Sequence, residues 1–193
     1  MPEPRPTGRP LRADARRNRE MIIAAAEDLF LRDGASASLE EIARRAGVGS
    51  ATLHRHFPTR KNLLETVYFD HVQELCDAAE SLAADHDPAE ALIAWLRLVN
   101  ARATVNNGLA AAMAADQDGG AAGSLQSCHA MIAAAGSTLL DRAIDSGDVR
   151  LDVDIRDLLA LVNALARVGG GHGHTSGDGN RLLTLAITGI MRH

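Results

Sequence analysis

The sequence predicts an all-α protein made of a small N-terminal head and a longer C-terminal body, with about nine helices in all. Three observations support this fold class. Apolar residues recur at helical spacing through most of the chain, and a capped helix, a glycine turn and a second short helix follow one another in residues 38–57. Aromatic residues make up only 3%. A core packed mainly from Leu, Ala, Val and Ile is therefore expected, and helices suit that composition.

The first predicted helix covers residues 16–33, with one apolar face and Gly34 placed to end it. The preceding residues 1–15 are rich in proline and arginine and lack apolar periodicity, so we expect a disordered basic arm there. These patterns predict three domains: the arm, a helix-turn-helix head at 16–58, and a helical body at 59–193.

The segment from Ser38 to Phe57 predicts the helix-turn-helix. Ser38 and Glu41 have the spacing of a capping box, in which each side chain caps the backbone N–H of the other. A glycine-rich turn at residues 47–49 then leads into a second helix. Leu53 and Phe57 give that helix its buried face, so its remaining side chains must be exposed.

Hydrogen-bond donors and cations cover the exposed side of the second helix, and such side chains bind the phosphates and base edges of DNA. Lys61, the only lysine, follows at the start of a long helix, where free backbone N–H groups also favour an anion. Two arginines of the first helix, Arg17 and Arg19, fit a phosphate contact or an ordinary surface position equally well. The predicted DNA-binding residues are Ser38, Gly49, Ser50, Thr52, His54, Arg55, His56 and Lys61.

The charge of the chain also differs between the predicted head and the predicted body. Residues 1–62 contain twelve Lys or Arg and eight Asp or Glu, a net charge of +4, whereas the rest of the chain carries −9, which together give the −5 of the whole. A positive head and a negative body are expected when only the head meets a polyanion.

These residues resemble the DNA-binding head of the TetR family of bacterial transcriptional regulators. The shared pattern is a first helix ending Phe-x-x-x-Gly, the capped helix, the Ala-Gly-Val turn, the run Thr-Leu-x-Arg-His-Phe-Pro and a basic pair opening a long helix. The resemblance covers about residues 17–68. It implies a double-stranded DNA operator, a homodimer, and a body that responds to a small molecule. The family often has tyrosine where this chain has His54, whose imidazole can still donate to a phosphate.

The body is predicted to begin with a long helix capped by Thr59. The next helix starts at Pro88 and should end at Asn106-Asn107-Gly108, with a short alanine-rich helix following to Ala115. A further helix is predicted over residues 124–146, because Gly147 marks its end.

Two apolar segments near the C-terminus, residues 154–168 and 181–191, predict helices that need cover on both sides. The chain has little left to cover their outer faces, so we expect them to pair with the same helices of a second copy in a four-helix bundle. The resemblance implies the same interface. Its predicted residues are Leu158, Leu161, Val162, Leu165, Leu182, Ala186, Ile187 and Ile190.

The body is also the expected site of an effector. An apolar cavity there would use some of Leu75, Trp95, Leu96, Val99, Met113, Met131 and Leu139. Helical spacing of this kind is also typical of a plain helical core, so these residues fit either role. One alternative therefore stays open: a constitutive DNA-binding or partner-binding helical protein without an effector.

Enzymatic chemistry has little support. No Walker loop, dinucleotide fingerprint or serine elbow is present, so we expect no enzyme and no cofactor. His172 and His174 form an isolated His-x-His pair, a weak metal signal, and Cys128 beside His129 lacks an assignable orienting partner.

No run approaches about 18 apolar residues, and no apolar signal segment is recognisable, so we expect a cytoplasmic protein without a membrane partner.

Overall fold

The computed structural model describes residues 9–33, 36–115, 121–169 and 176–191, and it confirms the predicted all-α class. The helices in chain order are α1 (Arg9–Asp33), α2 (Leu39–Arg45), α3 (Ser50–His56), α4 (Arg60–Asp85), α5 (Pro88–Ala115), α6 (Ala121–Asp145), α7 (Ile155–Gly169) and α8 (Ser176–Thr188). Among these described helices, none combines the length and hydropathy that a membrane span requires.

The chain divides into two compact units, and the first contains the helix-turn-helix. It consists of α1, α2, α3, the first turns of α4 as far as Tyr68, and the end of α5 from Gly108 onward. Its core includes Ile22 and Phe30 of α1, which are at most 1% exposed, together with buried leucines of α3 and α4. The unit continues beyond residue 58 because the start of α4 buries its own apolar stripe.

The second unit contains the rest of α4 and α5 with α6, α7 and α8, and its core is centred on Trp95 of α5. Trp95 is fully buried, and its indole N–H donates to the backbone oxygen of Leu75 in α4 at 2.9 Å. The ring also lies against Gly136 of α6, where an added Cβ would be only 2.7 Å from it. Because glycine leaves room for the indole, three helices pack around one side chain.

α5 is one continuous helix of 28 residues, so the predicted break at residues 106–108 was wrong. A glycine inside a helix costs about 1 kcal/mol relative to alanine. Burial of Leu109 and Met113 in the following turns outweighs that cost, since a fully buried apolar side chain of this size contributes about 1.5–3 kcal/mol. Asn106 is also held inside the helix, because its Oδ1 lies 3.1 Å from Nδ1 of His71 in α4.

α1 begins at Arg9, so the prediction of a disordered arm through residue 15 was wrong from residue 9 onward. Residues 1–8 lie outside the described residues. Pro10 is tolerated because a proline in the first turn removes only an N–H that has no partner within the helix. The residues after it are rich in alanine and arginine, which favour a helix.

The loop after α6 is fixed to the segment that follows α8. Gly147 adopts a φ of +85°, and the next buried residue, Val149, forms an isolated antiparallel bridge with Met191. Arg150 N–H donates to the backbone oxygen of Ile190 at 3.1 Å. These contacts hold the C-terminal segment against the second unit.

Replacing Gly136 with alanine should lower the free energy of unfolding by about 1–3 kcal/mol, because the added carbon would lie 2.6 Å from Ile155 Cδ1 and 2.7 Å from the Trp95 ring. Gly123→Ala is the matched control, since Gly123 lies in the same helix with no atom within 4 Å of the added carbon. It should be neutral or slightly stabilising. Urea unfolding followed by circular dichroism measures both, and equal stability of the two variants would contradict the packing of Trp95.

Candidate nucleic-acid interface

α2 begins at the residue that the sequence predicted, but only half of the capping box forms. The Ser38 hydroxyl accepts from the N–H of Glu41 at 3.5 Å. The carboxylate of Glu41 instead accepts two hydrogen bonds from Arg44, at 2.6 and 2.8 Å. A charge-assisted bidentate pair is stronger than a bond to a neutral backbone N–H, so the carboxylate turns toward the arginine.

The turn between α2 and α3 depends on Gly47, whose φ is +67°. Its N–H donates to the oxygen of Arg44 at 3.2 Å, and the N–H of Val48 donates to the oxygen of Ala43 at 3.0 Å. These two bonds define a Schellman cap, in which glycine adopts the left-handed conformation without the cost of a Cβ. The cap sets the direction in which the chain leaves α2 and enters α3.

α3 is only two turns long and is held by its buried face. Leu53 is fully buried, and Phe57 at the C-terminal cap is 4% exposed. None of the residues predicted to bind DNA is buried. Ser38, Gly49, Ser50, His54 and Arg55 are exposed, whereas Thr52, His56 and Lys61 are half-buried. The structure therefore leaves the predicted side chains of α3 fully or partly exposed around the buried Leu53.

Ion pairs engage the arginines of α2 but not that of α3. Arg44 and Arg45 approach Glu41 at 2.6 and 3.6 Å. Arg45 also lies 3.8 Å from Asp28 of α1. The hydrogen bond from Arg44 is the main cause that lowers the pKa of Glu41 below its usual value. Arg55 has no acidic partner in the part of the chain that the structure describes, so its charge is available to a phosphate or a base edge.

The start of α4 has the cap that the sequence predicted. The Thr59 hydroxyl accepts from the N–H of Asn62 at 3.1 Å. Lys61 is the second residue of the helix, and among the described residues it has no acidic partner. Free N–H groups in a first helical turn attract an anion, and a lysine beside them adds a full positive charge. This arrangement is suited to the phosphate contact predicted for Lys61.

Two contacts between cations and aromatic rings were not predicted from the sequence. The guanidinium of Arg19 in α1 lies over the ring of Phe57, with Cζ 5.7 Å from the ring centroid. Arg60 lies in the same way over Phe30, at 5.4 Å. The partners in each pair belong to different segments far apart along the chain, so no local spacing pattern signals the contact.

Two of the seven residues predicted to line a ligand cavity border a groove in the described part of the chain. Met131 and Leu139 reach a groove of about 580 Å³ between α4 and α6. The other five are buried core residues: Leu75, Trp95, Leu96 and Val99 in the second unit and Met113 in the first. The space around Trp95 is occupied by its own packing partners.

The residues predicted for the dimer interface divide between two faces of α7 and α8. Leu158, Val162 and Ile187 are buried in the core of the second unit. The others remain exposed or half-buried, namely Leu161, Leu165, Leu182, Ala186 and Ile190. Only the second group is open to a partner.

The remaining chemical candidates form no site in the described residues. His172 and His174 lie outside them. Cys128 is buried while the neighbouring His129 is exposed, and the described part of the chain contains no group of three His, Cys, Asp or Glu that could hold a metal ion. Burial raises the pKa of the Cys76 thiol, which makes it a weaker nucleophile at neutral pH.

Comparison with known protein families gives matches over both units. The family model of bacterial regulatory proteins of the tetR family matches residues 22–67. The model of the SbtR-like transcriptional regulator C-terminal domain matches residues 87–192, which is more than half of the chain.

Individual relatives agree with these matches. A TetR transcriptional regulator from Streptomyces coelicolor is 38% identical, with a TM-score of 0.76 over 90% of this chain and 98% of that one. A TetR transcription regulatory protein from Mycobacterium vanbaalenii is 32% identical, with a TM-score of 0.75 over 94% and 99%. The HTH-type transcriptional repressor LfrR of Mycolicibacterium smegmatis is 44% identical over 63 residues, which span 33% of this chain and 32% of LfrR.

Arg55→Ala should weaken binding to a specific DNA site by about 1–3 kcal/mol and affect a scrambled duplex less, because contacts to base edges carry discrimination. Lys61→Gln should weaken both by a similar factor, since a phosphate contact carries no sequence information. Fluorescence anisotropy with DNA from immediately upstream of the chain's own coding sequence, and with its scrambled counterpart, separates the two roles.

Arg97→Gln is the control for that experiment, because Arg97 is exposed in the second unit and the substitution removes the same charge. It should change neither affinity. Equal weakening of both duplexes by Arg55→Ala would contradict a base-reading role for Arg55.

Proposed function

This chain belongs to the TetR family of bacterial transcriptional regulators, and on that premise we propose that it is a homodimeric repressor. In the proposal, α3 of each protomer binds one half of a pseudo-palindromic operator, and a small molecule bound in the second unit releases the DNA. The observation that carries the proposal is the exposed polar face of α3, which the Gly47 turn and the buried Leu53 and Phe57 hold in place.

One relative supports the repressor role, since LfrR is a transcriptional repressor and is similar over about a third of its length. A dimer suits an operator of two related halves. Two heads related by a two-fold axis can enter successive major grooves about 34–36 Å apart, one turn of the double helix. A protein held on such a site can block access to an overlapping promoter.

The outer faces of α7 and α8 support the dimer. These helices pack against each other, and α7 buries Leu158 and Val162 in its own unit. On other sides Leu161 of α7 remains 37% exposed, and Leu185 of α8 remains 61% exposed. Exposed leucines on neighbouring helices favour association with the same face of a second copy. Leu185 was absent from the predicted interface and is added to it here.

The groove between α4 and α6 supports a small-molecule site. Its volume of about 580 Å³ falls within the range of typical ligand pockets, about 300–1,000 Å³. Small alanines on both helices leave the space. The lining residues are Cys76, Ala79, Glu80, Ala83, Met131, Ala134, Ala135, Thr138 and Leu139. Most of this wall is apolar, so a mainly apolar molecule would gain most by burial there.

α4 connects the groove to the head through one continuous helix. Its first turns, with Lys61, belong to the first unit, and the stretch from Cys76 to Ala83 lines the groove in the second. A ligand that binds one position of α4 better than another shifts the equilibrium by that difference in affinity. Effector binding in the groove would thereby change the fraction of dimers whose heads match the operator.

The combined substitutions Leu161→Glu and Leu185→Glu should convert the dimer to monomers, because each places an unpaired charge where apolar surface is to be buried. Size-exclusion chromatography with light scattering should give about twice the 20.4 kDa chain mass for the natural protein and the single mass for the variant.

Leu151→Glu is the control for the dimer experiment, since Leu151 is 71% exposed in the loop before α7. It should remain dimeric. A double variant that stays folded by circular dichroism and still has the dimer mass would place the interface elsewhere.

Ala135→Phe should fill the groove and remove its ligand binding. A thermal-shift screen of small apolar compounds should find ligands that raise the melting temperature of the natural protein, because a ligand at 100 times its Kd stabilises by about 2.7 kcal/mol. The Ala135→Phe variant should not respond to them. Ala130→Phe, exposed on the same helix outside the groove, should respond like the natural protein.

The same ligands should weaken DNA binding at constant salt concentration. Ligands that stabilise the natural protein through the groove and leave its DNA affinity unchanged would favour a constitutive regulator over a ligand-responsive one.

A further inference from the structure

We propose that Arg19 of α1 is a further DNA phosphate-binding residue, and that the ring of Phe57 positions it beside the C-terminal end of α3. The proposal rests on the proposed function, because it assumes that the head binds DNA. It adds α1 to the elements that contact DNA and assigns the aromatic residue after α3 a role beyond filling the core.

In the pair of Arg19 and Phe57, the ring is buried and the guanidinium is accessible to solvent. Phe57 is 4% exposed, so its ring cannot move away from the core. Arg19 is exposed, and its Cζ lies 5.7 Å from the centroid of that ring. A flexible arginine is thereby held over a rigid surface, and less conformational freedom remains to be lost when it binds an anion.

A cation–π contact leaves the hydrogen-bonding capacity of a guanidinium available. The ring attracts the positive charge, and the five N–H donors can still bind another partner. Arg19 has no acidic partner among the described residues, in contrast to Arg32, which bonds to Asp33 at 2.7 Å. Apart from the contact with Phe57, the described residues offer no partner for the charge or the N–H donors of Arg19.

The position of the pair is next to the residues already assigned to DNA. Phe57 directly follows α3, and the ring centroid of His56 lies 6.4 Å from that of Phe57. Lys61 follows at the start of α4. Arg19 therefore brings a cation from α1 to the junction of α3 and α4, where a backbone phosphate beside the recognition helix would be bound.

Arg60 also lies over an aromatic ring, but it is less exposed than Arg19. Arg60 is half-buried over Phe30, which is 1% exposed and belongs to the core. Its guanidinium is therefore less accessible to solvent than that of Arg19, so the proposal concerns Arg19 alone.

The test measures how the DNA affinity of the full-length protein depends on salt concentration. The probes are a duplex of about 30 base pairs from immediately upstream of the chain's own coding sequence and a scrambled duplex of equal length. Each phosphate contact contributes about 0.9 to the slope of log K against log salt concentration. Arg19→Gln should lower the slope by about 1.8 for a dimer and weaken binding roughly 10- to 30-fold near 0.15 M salt.

Three further variants separate contact from packing. Arg32→Gln removes the same charge from the same helix and should leave the slope unchanged, because Arg32 is paired with Asp33. Arg19→Lys should keep the slope, since the charge remains. Phe57→Leu keeps a buried apolar side chain after α3, so it should keep the slope but raise Kd about two- to five-fold, because the cation is retained and the ring that positions it is lost. Melting temperatures of all variants monitor folding.

The outcomes distinguish the proposals. If the natural protein shows no salt-dependent binding to either duplex, the proposed function fails. If it binds but Arg19→Gln keeps the full slope, Arg19 makes no phosphate contact and the inference fails alone. An equal loss of slope with Arg32→Gln would reduce the effect to net charge and overturn it as well. An unchanged Kd for folded Phe57→Leu would remove the positioning role of the ring.

Discussion

The proposed DNA-binding surface of this protein depends on the burial of two side chains, Leu53 and Phe57. A helix as short as α3 is not stable in isolation, because helices below about 12–15 residues are marginal in water. It therefore forms only where its apolar face is covered by the rest of the head. Once that face is buried, Ser50, His54 and Arg55 are left facing solvent. The Schellman turn before α3 then fixes the direction in which this surface points.

The number of cations makes the head positive, and ion pairing determines which of these cations remain available. Acidic residues of α1 and α2 bind Arg32, Arg44 and Arg45, so these charges are largely compensated. Exposed ion pairs of this kind contribute little to stability. They nevertheless decide which cations can interact with a polyanion. The cations without an acidic partner in the described chain include Arg55 and Lys61, which lie on α3 and at the start of α4.

In the second unit, the core around Trp95 lies beside an open groove. Trp95 is held by its hydrogen bond to the backbone of α4, and its ring fills the space beside Gly136 of α6. The groove between α4 and α6 lies beside that core, and its small alanines leave space where larger side chains would close it. α4 takes part in both the core and the groove, and its other end belongs to the head. A ligand could thus act on α4 without unpacking the core.

The sequence by itself determined the features that depend on local hydrogen bonding. The cap of α2 at Ser38, the glycine turn at residues 47–49, the cap at Thr59 and the end of α6 near Gly147 all follow from spacing within a few residues. The all-α class followed from the same periodicity. Only the tertiary structure decided the continuity of α5, the cation–π contact of Arg19 with Phe57, and which leucines of the nearly uniform α7 face the core. Each of these depends on which distant segment lies opposite a residue, and a local pattern carries no information about that partner.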